Sequence, residues 1–62
     1  MKRTIVGLRK DLGLTREQYA KKLGIKPNTL VRYEQRKTIP DVNVAIKIMK
    51  LSKLNSVEEV DW

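Results

Sequence analysis

Leu14-Thr15-Arg16-Glu17-Gln18-Tyr19-Ala20-Lys21-Lys22-Leu23-Gly24-Ile25, followed after two residues by Asn28-Thr29-Leu30-Val31-Arg32-Tyr33-Glu34, is the stretch that decides the fold. Thr15 and Gln18 have the spacing of a capping box: the threonine hydroxyl accepts from the Gln18 amide, and the glutamine side chain reaches back to the Thr15 amide. This opens a helix whose inner face is Tyr19, Ala20 and Leu23 and which Gly24 stops. Pro27 suits the first position of the next helix, where its missing N–H leaves no bond unmade. Leu30 and Tyr33 form the inner stripe of that helix, which runs to about Gln35. Two helices joined by so short a glycine turn cross at roughly 90–120°. Such a crossing makes demands at particular positions. A small residue must sit where the helices touch (Ala20), a residue tolerant of positive φ in the turn (Gly24), and apolar anchors on both sides (Tyr19, Leu23, Ile25, Leu30, Tyr33). Taken singly, Ala20 reads as ordinary core and Gly24 as a plain helix stop. All seven in register within 15 residues read as a helix-turn-helix over about 15–35.

Outward from this unit, the helical periodicity continues. Ile5, Leu8 and Leu12 share one face of a first helix that Gly13 ends. Lys26 is a poor N-cap by residue type, so the start of the third helix is soft. Pro40-Asp41 begins a fourth helix with Asp41 as its cap and Val42, Ala45, Ile46 and Met49 facing inward. Ser56-Val57-Glu58-Glu59 is a second capping box, opening a last short helical turn that carries Val60 and Trp62. Trp62 closes the core, lies at a dimer interface, or is the stump of a longer chain. No strand pattern, repeat or linker appears. The expectation is an all-α protein, a compact bundle of five short helices in a single domain over 1–62.

The composition narrows the function. Sixty-two residues without Cys or His offer neither disulfides nor the usual zinc ligands, so stability must come from helix packing or a partner. The lack of Cys fits a reducing compartment. The longest unbroken apolar run, Val44-Ala45-Ile46, is far short of a membrane span, and no apolar segment follows Met1-Lys2-Arg3 as in a secretory signal. A soluble, cytoplasmic protein is expected, with no cofactor and no metal. Catalysis is disfavoured because no nucleophile or acid–base pair can be assembled without His or Cys and with acids scattered over different helix faces. The net charge is +7, and residues 1–54 carry 14 basic against 4 acidic side chains, a net +10. That density points to a polyanion, through phosphate attraction and counterion release, with a solvated basic surface as the plain alternative. The basic residues do not share one face of a single amphipathic helix, which makes a membrane surface the weaker partner.

Residues 14–25 and 28–34 resemble the phage Cro and repressor family, the XRE-type, lambda-repressor-like helix-turn-helix proteins, and Pro40-Asp41 with the amphipathic segment after it resembles that family's fourth helix. The resemblance covers about residues 4–51. It implies a five-helix bundle that binds operators as a twofold homodimer, nucleoid-associated when bound, with the third helix in the major groove and the second crossing the backbone. It places Pro27, Asn28, Val31 and Arg32 on the DNA-facing side, and helical spacing agrees, since Asn28 and Arg32 lie four apart, opposite the Leu30/Tyr33 stripe. Arg32 suits guanine O6 and N7, and Asn28 suits adenine N6 and N7; Val31 or Pro27 would pack on a thymine methyl. Arg32 reads equally as a phosphate contact or a free surface charge, and Asn28 as a local cap. Arg16 stands where the family touches phosphate, at a helix start that already favours an anion. Thr29, Arg36 and Lys37 are further phosphate candidates, and Lys2-Arg3 is either a contacting arm or a disordered end. Arg9 and Glu34 match family positions that form an ion pair between the first helix and the end of the third.

The sequence also departs from the family pattern. Arg36 stands where the family commonly has Gly, and the apolar spacing slips by about one residue around Leu51-Ser52-Lys53-Leu54. The leading functional reading is a transcriptional regulator of phage, plasmid or mobile-element type, a repressor that blocks polymerase at an inverted-repeat operator of double-stranded DNA. Within these 62 residues no effector domain is expected. An antitoxin-like or other protein-interaction module, with DNA binding secondary, is the alternative of a different class. RNA binding is weaker, because Tyr19 and Tyr33 both read as buried and leave few aromatics for base stacking.

Overall fold

The computed structural model describes residues 2–62. Its elements in chain order are β1 (Arg3–Thr4), α1 (Ile5–Asp11), α2 (Arg16–Leu23), α3 (Pro27–Glu34), α4 (Val42–Ser52), a 3-10 turn (Val57–Glu59) and β2 (Val60–Asp61). Thus there are four α-helices among the described residues, where the sequence reading expects five. The Ser56 capping box forms, with Glu58 N–H donating to Ser56 Oγ at 3.2 Å and Ser56 N–H to Glu59 Oε2 at 3.0 Å. It opens a single 3-10 turn because the chain straightens at Val60 into a strand. That strand pairs in parallel with β1, Arg3 opposite Val60 and Thr4 opposite Asp61, so the expectation of no strand is also corrected.

The helix starts follow their caps. Thr4 accepts from Gly7 N–H at 2.9 Å, and Asp41 accepts from Val44 N–H at 2.9 Å. The Thr15–Gln18 box is complete, at 3.0 and 3.2 Å. All four helices end in one geometry, a left-handed residue that returns its neighbour's amide to a carbonyl five residues back. Gly13 and Gly24 take that conformation at φ 70° and 71°, and Leu14 and Ile25 close the bonds to Arg9 and Ala20. After α3 and α4 the same position falls on Arg36 (φ 63°) and Lys53 (φ 55°), and Lys37 and Leu54 bond back to Arg32 and Met49.

The core joins Ile5 and Leu8 of α1, Tyr19, Ala20 and Leu23 of α2, Leu30 and Tyr33 of α3, Val44 and Ile48 of α4, and Val60 of β2. Ala20 is fully buried where α2 meets α3, as the crossing requires. Two inward assignments need correction. In α4, Val44 and Ile48 are buried and Ala45 and Met49 half-buried, while Val42 is 73% and Ile46 44% exposed. Seven of the ten residues from Val42 to Leu51 are apolar, so two helical stripes coexist and periodicity alone cannot choose between them. Leu12, expected on the inner face, is exposed because α1 already stops at Asp11. Lys47 Nζ donates to the Leu23 carbonyl at 3.3 Å, setting a cation on the C-terminal end of α2 where the helix dipole favours it. Trp62 packs against the core from the chain end and donates its indole N–H to Val57 O at 2.9 Å. No helix among the described residues is long and apolar enough to cross a membrane.

A side chain held in the left-handed region costs roughly 1 kcal/mol that glycine avoids. Lys53 makes no side-chain hydrogen bond or ion pair among the described residues that its replacement would forfeit. Lys53→Gly is therefore expected to raise the melting temperature by about 4–8 °C. A thermal denaturation curve at or below that of the wild type would contradict this account of the α4 terminus.

Candidate nucleic-acid interface

The turn after α2 sets α3 on the surface with one face buried and the other free. Leu30 and Tyr33 anchor the inner face. On the outer side, Pro27, Asn28 and Arg32 are exposed and Val31 is half-buried among them. The structure therefore brings the four expected base-reading residues onto one surface. Asn28 and Arg32 side chains have no hydrogen-bond or ion-pair partner among the described residues. Lys26 caps α3 in extended backbone without a side-chain hydrogen bond, so the amides of its first turn stay open. Thr29 and Arg32, with Tyr33 and Thr38, line a shallow depression along one side of the helix.

The charge around this face is strongly biased. Residues 16–37 hold seven basic and two acidic side chains. Of the acids, Glu34 is buried at 2% side-chain exposure and spends its charge internally. Arg9 Nε donates to Glu34 Oε2 at 2.7 Å, and Arg9 Nη1 donates to Leu14 O at 2.9 Å. This is the ion pair expected between the first helix and the end of the third. Arg16 Nε donates to the second oxygen, Glu34 Oε1, at 2.8 Å. One carboxylate thus receives two guanidiniums, and the second partner was not foreseen in the sequence, where Arg16 reads as a phosphate ligand alone.

The remaining phosphate candidates differ in their surroundings. Lys37 is exposed and has no side-chain partner among the described residues. Thr29 is half-buried beside Arg32. Arg36 pairs with Asp61 at 2.6 Å, so the acidic chain end reaches the loop after α3. Lys2 is exposed, whereas Arg3 lies in β1 and pairs with Asp11. These contacts set the start of the chain against the body of the protein.

Tyr19 lies beneath the carboxylate network. It is fully buried and its hydroxyl has no hydrogen-bond partner among the described residues. Desolvation, reinforced by the negative charge of Glu34 and opposed by Arg9, pushes its pKa up to about 12.

A helix-turn-helix family model matches residues 7–54, most of the chain and all of α2, the turn and α3. No curated protein and no solved structure gives a significant match.

Because the unfolded phenol ionises near pH 10 and the folded one only near 12, the unfolded state loses its proton first. Stability due to Tyr19 is whole below pH 10 and falls as pH rises towards 12, by on the order of 2 kcal/mol. Tyr19→Phe removes an unpaired buried hydroxyl, so it is expected to be at least as stable as wild type at pH 7 and to show a shallower alkaline decline. Denaturant unfolding of both proteins from pH 8 to 12 checks this; parallel declines would refute it.

Proposed function

Because the chain belongs to the Cro/C1-type helix-turn-helix family of DNA-binding domains, we propose that it is a sequence-specific transcriptional regulator, a repressor of phage, plasmid or mobile-element type. The observation that carries this reading is the outer face of α3: Asn28 and Arg32, exposed and without a side-chain partner among the described residues, one helical turn apart, with Pro27 and Val31 beside them. With α3 in the major groove, Arg32 donates both arms of its guanidinium to guanine O6 and N7, and Asn28 pairs with adenine N6 and N7. Val31 and Pro27 supply apolar contact for thymine methyls. Arg16, Thr29, Arg36 and Lys37 hold phosphates, which fix register without reading sequence, and Lys2 and, once its pair with Asp11 yields, Arg3 add charge beside the duplex. Arg36 serves this role when its exposed pair with Asp61 yields, which costs little because exposed pairs are worth about 0–1 kcal/mol.

The operator is an inverted repeat and the binding species a homodimer, at least on DNA, with half-site centres roughly 34–36 Å apart. Ile39 and Val42, 74% and 73% exposed between the end of α3 and the start of α4, give a second copy an apolar surface beside the reading helix. Such a domain represses most simply by occupying the site that polymerase needs.

Selection of binding sites from random duplex DNA tests the proposal. An inverted repeat should emerge for the wild type. Arg32→Ala should lose preference at one base position of each half-site, at about 1–3 kcal/mol, whereas Lys37→Ala should weaken all sequences alike and lower the salt slope by about one. Recovery of no motif, with uniform salt-sensitive binding, would mean an architectural binder and defeat the proposal.

A further inference from the structure

The Arg16–Glu34 contact joins the first residue of α2 to the last residue of α3. Its geometry is asymmetric. Glu34 holds Arg16 by Nε at 2.8 Å, and the two Nη groups have no acceptor among the described residues, while the arginine side chain stays 53% exposed. The carboxylate cannot swing away, because Arg9 Nε fixes its other oxygen at 2.7 Å and Glu34 is 2% exposed. Arg9 is itself tied to Leu14 O. Each link in this chain fixes the next, from the α1–α2 connection through Arg9 and Glu34 to Arg16. The depression at the start of α2 is lined by Arg9, Thr15, Arg16 and Glu17. Thr15 and Gln18 amides are consumed by the capping box, and the Arg16 guanidinium fork, beside the acidic Glu17, is the exposed cation left to an incoming phosphate.

We propose that Glu34 is a positioning residue for DNA binding: by gripping Arg16 through Nε it presents the Nη fork to a backbone phosphate, at a set distance from the bases read by α3. This rests on the reading of Arg16 as a phosphate ligand. A fork held before contact loses less freedom on binding than a mobile side chain, and a planar guanidinium can bond a carboxylate on one edge and a phosphate on another. Lysine has no second edge. Because Glu34 terminates α3, the phosphate grip and the reading helix move as one body. The negative charge of Glu34 also repels phosphate, so a purely electrostatic role would give the opposite sign.

A double-mutant cycle on duplex DNA at fixed salt, at a temperature where circular dichroism shows every variant folded, separates these roles. Arg16→Ala should weaken binding to all sequences by about tenfold. Glu34→Gln has one acceptor oxygen where two are needed. It should weaken binding several-fold with unchanged sequence preference, and should add nothing further in the Arg16→Ala background. Glu34→Gln binding as tightly as wild type or tighter, or losses that multiply independently in the double variant, would overturn the positioning role. If Glu34→Gln does not fold, Arg16→Lys decides, since it keeps the charge and leaves the Arg9–Glu34 pair in place. Loss comparable to Arg16→Ala supports the role, and wild-type affinity overturns it. Full affinity for Arg16→Ala would instead overturn the phosphate reading of Arg16 on which the proposal stands.

Discussion

A single buried carboxylate, that of Glu34, ties together the parts that matter for this protein. Its two oxygens receive Arg9 of α1 and Arg16 of α2 at 2.7 and 2.8 Å, and its backbone ends α3. Neither its burial nor its pairing can be changed separately. Removing one member of a buried ion pair leaves the other charge uncompensated, which costs about 3–5 kcal/mol, a large share of the 5–15 kcal/mol that holds a small domain together. Replacing the whole cluster by apolar groups need not cost that much, because desolvation offsets much of the Coulombic gain. What the cluster supplies is geometry: three helices meet at one point with little freedom to shift.

The apolar core meets the same constraint from the other side. Ala20 lets α2 and α3 approach, Gly24 turns the chain between them, and Leu30 and Tyr33 hold the inner face of α3 down. The outer face is left free because the inner one is so fully committed. Asn28 and Arg32 are then presented by a rigid helix rather than by a loop, which favours discrimination between bases over mere attraction to phosphate. The charge distribution fits that division. In the proposed reading, attraction would come from lysines and arginines spread along residues 16–37, and selectivity from a few side chains on one turn of helix.

Legibility in the sequence followed how local each signal was. The helix-turn-helix was readable because its crossing angle dictates residue types at short, fixed spacings: Thr15 with Gln18, Ala20 with Gly24, Leu30 with Tyr33. The phase of α4 was not, because apolar residues surround most of that helix and the choice of Val44 and Ile48 as its buried pair depends on what α2 offers opposite. The β1–β2 bridge left no pattern, since two residues per strand are too few for alternation and the partners are more than fifty positions apart. Arg9 with Glu34 was legible through family resemblance. Arg16 with Glu34 was not, because an exposed arginine at a helix start has a sufficient explanation in phosphate binding and gives no hint of a second partner. Arg36 stood out as a departure where glycine is usual, and its positive φ shows that the chain keeps the backbone geometry and accepts the strain.

The claim that the outer face of α3 is the surface that reads DNA is tested most directly by amide chemical-shift mapping of the labelled protein titrated with its selected duplex. The largest shifts should fall on Asn28, Val31 and Arg32, with a second group at Arg16 and Glu17, and Val44 to Ile48 should change little. Perturbations centred on the exposed side of α4 or on the Val57–Trp62 end, with α3 silent, would contradict the account.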